Sequence, residues 1–328
     1  MPSRASRSSV SPEVTADRLG LLLAVVLILG ARIAAPACEA RSGHHPGSDR
    51  LGVVFAGGGA KAAYEAGLGL ALHERGIVPT AVGGTSAGAI SAVLVATGQA
   101  ERLAELWRSI RREDVFAYRA PAVFGGLLPG WLGLRVLAGS RGLLDPTPLR
   151  ATLGRHIDLE RVRSTPVTIL VLATDLVSGT AQRFDNGSLT LDALVASSTV
   201  PGLFPAVATD GRLLVDGGVV QRAPVLELLT AHRLDRLLVV AAYASEPPRD
   251  AALQSIVERA MELALSREIE RDVELARLRH PGVDVQVLSP SAPLRVRPLD
   301  FDGPRLAGLT DLGRADGRRC LDALGYPG

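Results

Sequence analysis

Apolar residues in this chain fall into short runs, closed by glycine-rich turns and followed by stretches of helical polarity. Residues 51–56 form an unbroken apolar run of strand length, suited to a strand buried on both faces. The glycines Gly57, Gly58 and Gly59 end it, and a helix of small residues is predicted over 60–75. Residues 80–83 read as a second strand leading into an alanine-rich helix over 86–97. The run 166–174, rich in β-branched residues, reads as a central strand, and 180–184 pairs with it after a Ser-Gly turn. Further strands are predicted at 213–215, 236–242 and 283–288. Residues 251–280 carry alternating charges that support one long helix, and 305–324 form a last helical segment. Alternating strand, turn and helix predict an α/β fold with a mainly parallel central sheet flanked by helices.

Two of these strand ends carry candidate chemistry. Ser86 stands in Gly84-Thr85-Ser86-Ala87-Gly88, where a strand turns sharply into a helix, and Gly84 and Gly88 let that turn close without side-chain clashes. The glycine triplet with Ala60 offers bare backbone N–H groups at a helix start, the environment an oxyanion needs. The predicted strand 213–215 runs into Asp216-Gly217-Gly218, a carboxylate whose surroundings have been cleared for another group.

With these pieces in this order, the chain resembles the patatin-like phospholipase family over roughly residues 51–245. Ala196-Ser197-Ser198 and Pro201-Gly202-Leu203-Phe204-Pro205 are similar to the family's segment before the aspartate strand. The resemblance implies a three-layer patatin-like fold and a Ser–Asp dyad, with Ser86 as nucleophile, Asp216 as its base and no obligatory histidine. The oxyanion hole would be drawn from Gly57, Gly58, Gly59 and Ala60. The implied substrate is a phospholipid or related acyl lipid, cleaved at a carboxylic ester through an acyl-serine. Two positions depart from the family pattern. Ala62 stands where the loop usually ends in glycine, and Gln221-Arg222 replaces an Asp-Asn pair. A cation that close to Asp216 is expected to lower its basicity. Lys61 is the only lysine among 36 basic residues. It reads either as an ammonium binding substrate at the mouth of the loop or as a solvated first-turn residue.

Two other functions stay open on the residues alone. A His-dependent esterase or thioesterase would take His232 or His280, since either follows Ser86 and Asp216 in the chain. A lipid-binding envelope protein on a degenerate hydrolase scaffold would account for Gln221-Arg222.

Composition adds bounds. A chain of 328 residues at 47% hydrophobic content can bury a large core, and a net charge of +2 lends no support to a nucleic-acid partner. The two cysteines, Cys38 and Cys320, suggest neither a disulfide framework nor a metal site. No metal or organic cofactor follows from the residues. Residues 1–37 read as a signal peptide or N-terminal membrane anchor. Their apolar run at 19–31 is shorter than the roughly 20 residues of a spanning helix, and arginines precede it. Ala35-Pro36-Ala37-Cys38 loosely resembles a lipoprotein processing box, which would place lipid on Cys38. Export or membrane attachment at a bacterial envelope is therefore expected. Residues 38–50 read as a linker, and 51–328 as the catalytic domain. Within it, residues 116–144 hold Phe116, Tyr118, Phe124, Leu127, Leu128, Trp131, Leu132 and Leu134 among glycine and proline breaks. They fit a mobile acyl-binding cap, a membrane-touching surface or ordinary core packing equally.

Overall fold

The computed structural model describes Cys38 and residues 50–120, 138–243 and 252–326, with residues 132, 135, 136 and 250. The expected leader at 1–37 and most of the linker lie outside the described residues, as do Phe124, Leu127, Leu128, Trp131 and Leu134 of the apolar segment.

Five strands run parallel. In chain order they are β1 (Leu51–Phe55), β2 (Ala81–Thr85), β5 (Thr168–Asp175), β9 (Arg236–Val240) and β10 (Asp284–Leu288). The sheet order is β10-β9-β1-β2-β5-β8-β7, where β7 (Val207–Thr209) and β8 (Arg212–Asp216) form an antiparallel pair. On its other edge β5 pairs with β6 (Thr180–Phe184), also antiparallel. A small ladder of β3 (Ala117–Tyr118) and β4 (Leu144–Asp145) stands apart. The mainly parallel sheet is therefore present, with its antiparallel strands gathered around β5.

Alternation along the buried strands divides the core into two layers. Val53 and Phe55 of β1, Ile169 and Val171 of β5, and Leu238 and Val240 of β9 face one way. They pack on α1 (Ala63–Glu74), α2 (Ala87–Ala96), α3 (Ala100–Ser109) and α10 (Gly303–Ala323). Val54, Leu170, Leu172, Leu237 and Val239 face the other way, against α8 (Val225–Ala231) and α9 (Leu253–Arg279). Helices on both faces of a period-two sheet make the three-layer arrangement. The short helices α4 (Arg112–Val115), α5 (Thr147–His156), α6 (Leu159–Ser164) and α7 (Leu191–Ser197) fill the connections. Phe116 is buried among Tyr118, Phe204 and Phe301, so this end of the apolar segment is core packing.

The first helix starts later than its pattern suggests. Gly59–Ala62 is a tight 3-10 turn, and regular α-helix begins at Ala63. Helices α1 and α10 then approach closely. A Cβ on Gly67 would run into the Thr310 carbonyl, and one on Gly313 into that of Tyr64. Thr310 Oγ1 donates to the Ala63 carbonyl at 3.1 Å and Tyr64 Oη to Asp316 at 3.0 Å. One expectation is overturned here. Cys38 and Cys320 form a disulfide across 282 residues of sequence, with their Cα atoms 5.0 Å apart. In this form the Cys38 sulfur is spent on the bridge and cannot also carry a lipid. Among the described residues no helix is long and apolar enough to cross a membrane.

Candidate active site

The register of β5 brings two distant strand ends together. Thr85, the last residue of β2, pairs with Leu172, and Asp216, the last of β8, pairs with Ala173. Because β6 occupies the opposite edge over 171–175, β2 and β8 share one edge and meet end to end. Ser86 and Asp216 are therefore neighbours by strand pairing alone.

At Ser86 the chain takes φ 58° and ψ −135°, a backbone state that costs a non-glycine residue about 1–3 kcal/mol. The turn is held from several sides. The Ser86 N–H donates to Ser197 Oγ at 2.9 Å, and that hydroxyl donates to the Leu172 carbonyl at 2.7 Å. A Cβ on Gly84 would strike the Gly88 carbonyl, and one on Gly88 would strike that of Phe55. Both positions need glycine for the elbow to close.

Asp216 is 3% exposed. Its Oδ1 accepts from the Gly218 N–H at 2.8 Å, and its own N–H donates to the Thr199 carbonyl. Oδ2 is buried and has no partner within hydrogen-bond distance. The Ser86 hydroxyl is close enough to favour the carboxylate electrostatically, yet no formed Ser86–Asp216 hydrogen bond is present. Burial lifts the Asp216 pKa above the usual carboxylate range, while Arg222, the Gly218 N–H and Ser86 pull it partly back. The expected acidifying effect of Arg222 exists, but desolvation outweighs it.

Gly57, Gly58 and Gly59 have φ of 72°, 135° and 60°, a run that only glycine adopts without strain. Two of the four expected oxyanion donors are already committed. The Gly57 N–H donates to Glu65 Oε1 at 2.7 Å and the Ala60 N–H to the Pro298 carbonyl at 2.8 Å. Among the described residues the N–H groups of Gly58 and Gly59 are the ones left in the loop for a substrate. Lys61 is buried rather than solvated, and Nζ pairs with Glu262 of α9 at 2.7 Å, so it ties the loop to that helix.

Glu65 is a residue of the site that the pattern reading missed. It is fully buried on α1, with Oε2 accepting from Ser91 Oγ of α2 at 2.9 Å. Burial pushes its pKa up to about 7 against the opposing hydrogen bonds from Gly57 and Ser91. A lone acid in the apolar sequence Ala62-Ala63-Tyr64-Glu65-Ala66-Gly67 was the available signal. Ser197 and Tyr243 were also missed, since their roles arise only from tertiary contact. His73, His156, His232 and His280 lie at or near helix C-termini. Neither His232 nor His280 is hydrogen-bonded to Ser86 or Asp216. Among the described residues there is no cluster of side chains with metal-binding geometry.

A serine elbow, a glycine loop and a buried Asp-Gly-Gly turn thus meet at one end of the central sheet of a three-layer α/β fold. The sequence profile of the patatin-like phospholipase family matches residues 53–229, and the chain belongs to that family. Over 207 residues it is 27% identical to an uncharacterized NTE family protein of Mycobacterium bovis, covering 62% of this chain and 52% of that one. Over 184 residues it is 31% identical to the lysophospholipase NTE1 of Mycosarcoma maydis, covering 55% of this chain and 9% of that protein. The chain thus spans about half the length of the mycobacterial relative. Among solved structures, VipD from Legionella pneumophila matches with a TM-score of 0.44 at 14% identity, covering 83% of this chain and 66% of that chain.

Proposed function

We propose that this protein hydrolyses carboxylic esters of acyl lipids, phospholipids or lysophospholipids among them, with Ser86 as nucleophile and Asp216 as base. The observation that supports the reading is the meeting of β2 and β8 on one edge of β5, with Ser86 directly after β2, Asp216 at the end of β8 and one Asp216 oxygen buried without a partner. Ser86 Oγ attacks the ester carbonyl as Asp216 takes its proton, and the oxyanion forms against the N–H groups of Gly58 and Gly59. Asp216 then gives the proton to the departing alcohol. Water, deprotonated by the same carboxylate, releases the fatty acid. Desolvation raises the basicity of Asp216 toward that of a usable general base, in place of a histidine.

A lipid surface is the proposed partner. Val219 and Val220 are exposed directly after the Asp216 turn, and Ile256, Val257 and Met261 are exposed on α9 beside the Lys61–Glu262 pair. Export is proposed as well, because a disulfide at Cys38 suits an oxidising compartment. The direct test combines a fluorophosphonate probe with mass spectrometry of a mixed lipid extract. Wild type should label at Ser86 and release fatty acids. Ser86→Ala and Asp216→Asn should do neither, while His→Ala variants stay active. Fatty acid release by folded Ser86→Ala would refute the assignment.

A further inference from the structure

Arg222 is a cation with 6% exposure in the middle of the site. Its guanidinium is placed between the two turns on which the reaction depends. The position of a Cβ on Gly218, two residues after Asp216, lies 3.0 Å from Nη1. The position of a Cβ on Gly58, in the oxyanion loop, lies 3.7 Å from Nη2. Both residues are glycine, so each turn can lie against one arm of the fork. The plane is held from behind by the Tyr243 ring, with Cζ 5.2 Å from its centroid. The Arg222 N–H donates to Glu268 of α9 at 2.8 Å, which anchors the backbone on the far side.

We propose that Arg222 is a positioning residue for the hydrolysis, a buried fork braced between the turn that carries Asp216 and the glycine loop that receives the oxyanion. The proposal rests on the Ser86–Asp216 reading and extends it to a residue that occupies the family's usual asparagine position. An asparagine can hydrogen-bond one turn, but it brings no charge. A guanidinium spans both turns and places a full positive charge beside a base that has been taken out of water. The charged groups facing it come from every packed element. They are Asp216 at the end of β8, Glu65 on α1 and Glu268 on α9, with Tyr243 after β9. Three carboxylates around one buried cation explain why the guanidinium persists there, although burial alone disfavours its charge.

Two consequences separate a positioning role from a merely structural one. Removing the cation should make Asp216 harder to ionise, and the acidic limb of kcat/KM should move to higher pH. Removing the fork should lower kcat, because the loop then loses its direct brace against the turn that carries the base. The test uses a short-chain 4-nitrophenyl ester and the full chain, assayed across pH in Arg222→Gln, Arg222→Lys and Glu65→Gln. For Arg222→Gln the acidic limb is expected to rise by at least about one unit, the usual effect of losing an adjacent opposite charge. In Arg222→Lys the limb should stay near wild type while kcat drops about tenfold to a hundredfold, since one ammonium cannot touch both turns. Glu65→Gln should keep an acidic limb, which assigns that limb to Asp216. An unmoved limb in folded Arg222→Gln overturns the proposal. If Arg222→Gln does not fold, Arg222→Lys decides, and a wild-type kcat there overturns it. Ser86→Ala separates the two claims. Residual hydrolysis in that variant removes the dyad itself, whereas an inactive Ser86→Ala with an unmoved Arg222→Gln limb removes only the role of Arg222.

Discussion

Glu65→Gln should make the protein more stable at alkaline pH, by an amount that vanishes in acid. Glu65 is fully buried, and burial pushes its carboxyl up to about 7 in the folded chain from an ordinary value of 4.5. A raised carboxylate pKa means that the folded state binds the extra proton. The associated stability is fully present below pH 4.5 and is lost as pH rises through 7. A shift from 4.5 to about 7 corresponds to about 3 kcal/mol by linkage. Glutamine preserves the geometry, because its carbonyl can accept from Gly57 while its amide donates to the Ser91 hydroxyl. The variant has no proton to lose, so its stability should not fall across this window on account of residue 65. Urea unfolding of both proteins at pH 5 and pH 8 reads the difference. The gap in unfolding free energy should grow in favour of glutamine by about 2.5 kcal/mol between those two values, because part of the shift lies below pH 5. Parallel stability curves from pH 5 to 8 would refute the reasoning. They would mean that Glu65 stays ionised on the hydrogen bonds from Gly57 and Ser91, and that desolvation is not the dominant influence.

Other substitutions test separate parts of the architecture. Gly59→Ala places a side chain at φ 60° and drives it into the Pro298 carbonyl. It should cost about 2–4 kcal/mol in thermal or chemical unfolding and lower kcat by about a hundredfold or more. Lys61→Met breaks the partly buried pair with Glu262. It should reduce stability by about 1–3 kcal/mol, and KM for lipids differing only in head-group charge should change equally, which a head-group contact would contradict. Cys320→Ser opens the link across 282 residues. On the chain-entropy account it should lower unfolding free energy by up to about 5 kcal/mol, and dithiothreitol should then have no further effect on the melting temperature.

What the sequence reveals and conceals follows from where each constraint acts. Ser86, Asp216 and the glycine triplet are legible because a sharp elbow, a strand-end acid and positive-φ backbone each demand particular residues locally. The parallel strands are legible for the same reason, as continuous apolar runs buried on both faces. Donor availability is not local. Nothing in Gly57-Gly58-Gly59-Ala60 tells which amides are free, because the competing acceptors are Glu65 and the carbonyl of Pro298, from another part of the chain. The pairing of Lys61 is hidden for a similar reason, since its partner Glu262 lies on α9. The Cys38–Cys320 bridge joins positions 282 residues apart, and no spacing of two cysteines conveys that folding brings them together. At Asp216 the charge of Arg222 is legible in the sequence, while the extent of desolvation that opposes it is not. Depth of burial, which decides the sign, exists only after folding.

Strand β5 acts as a ruler for the reaction. Its adjacent rungs at Leu172 and Ala173 carry the two halves of the proposed catalytic pair on separate strands. Each rung is about 3.3 Å, and each step reverses the face that a side chain presents. Inserting a single residue between those rungs would leave both motifs intact in sequence while pulling the alcohol and the acid out of reach of each other. Drift in the loops joining these strands can be absorbed freely, but the length of β5 cannot change by even one residue.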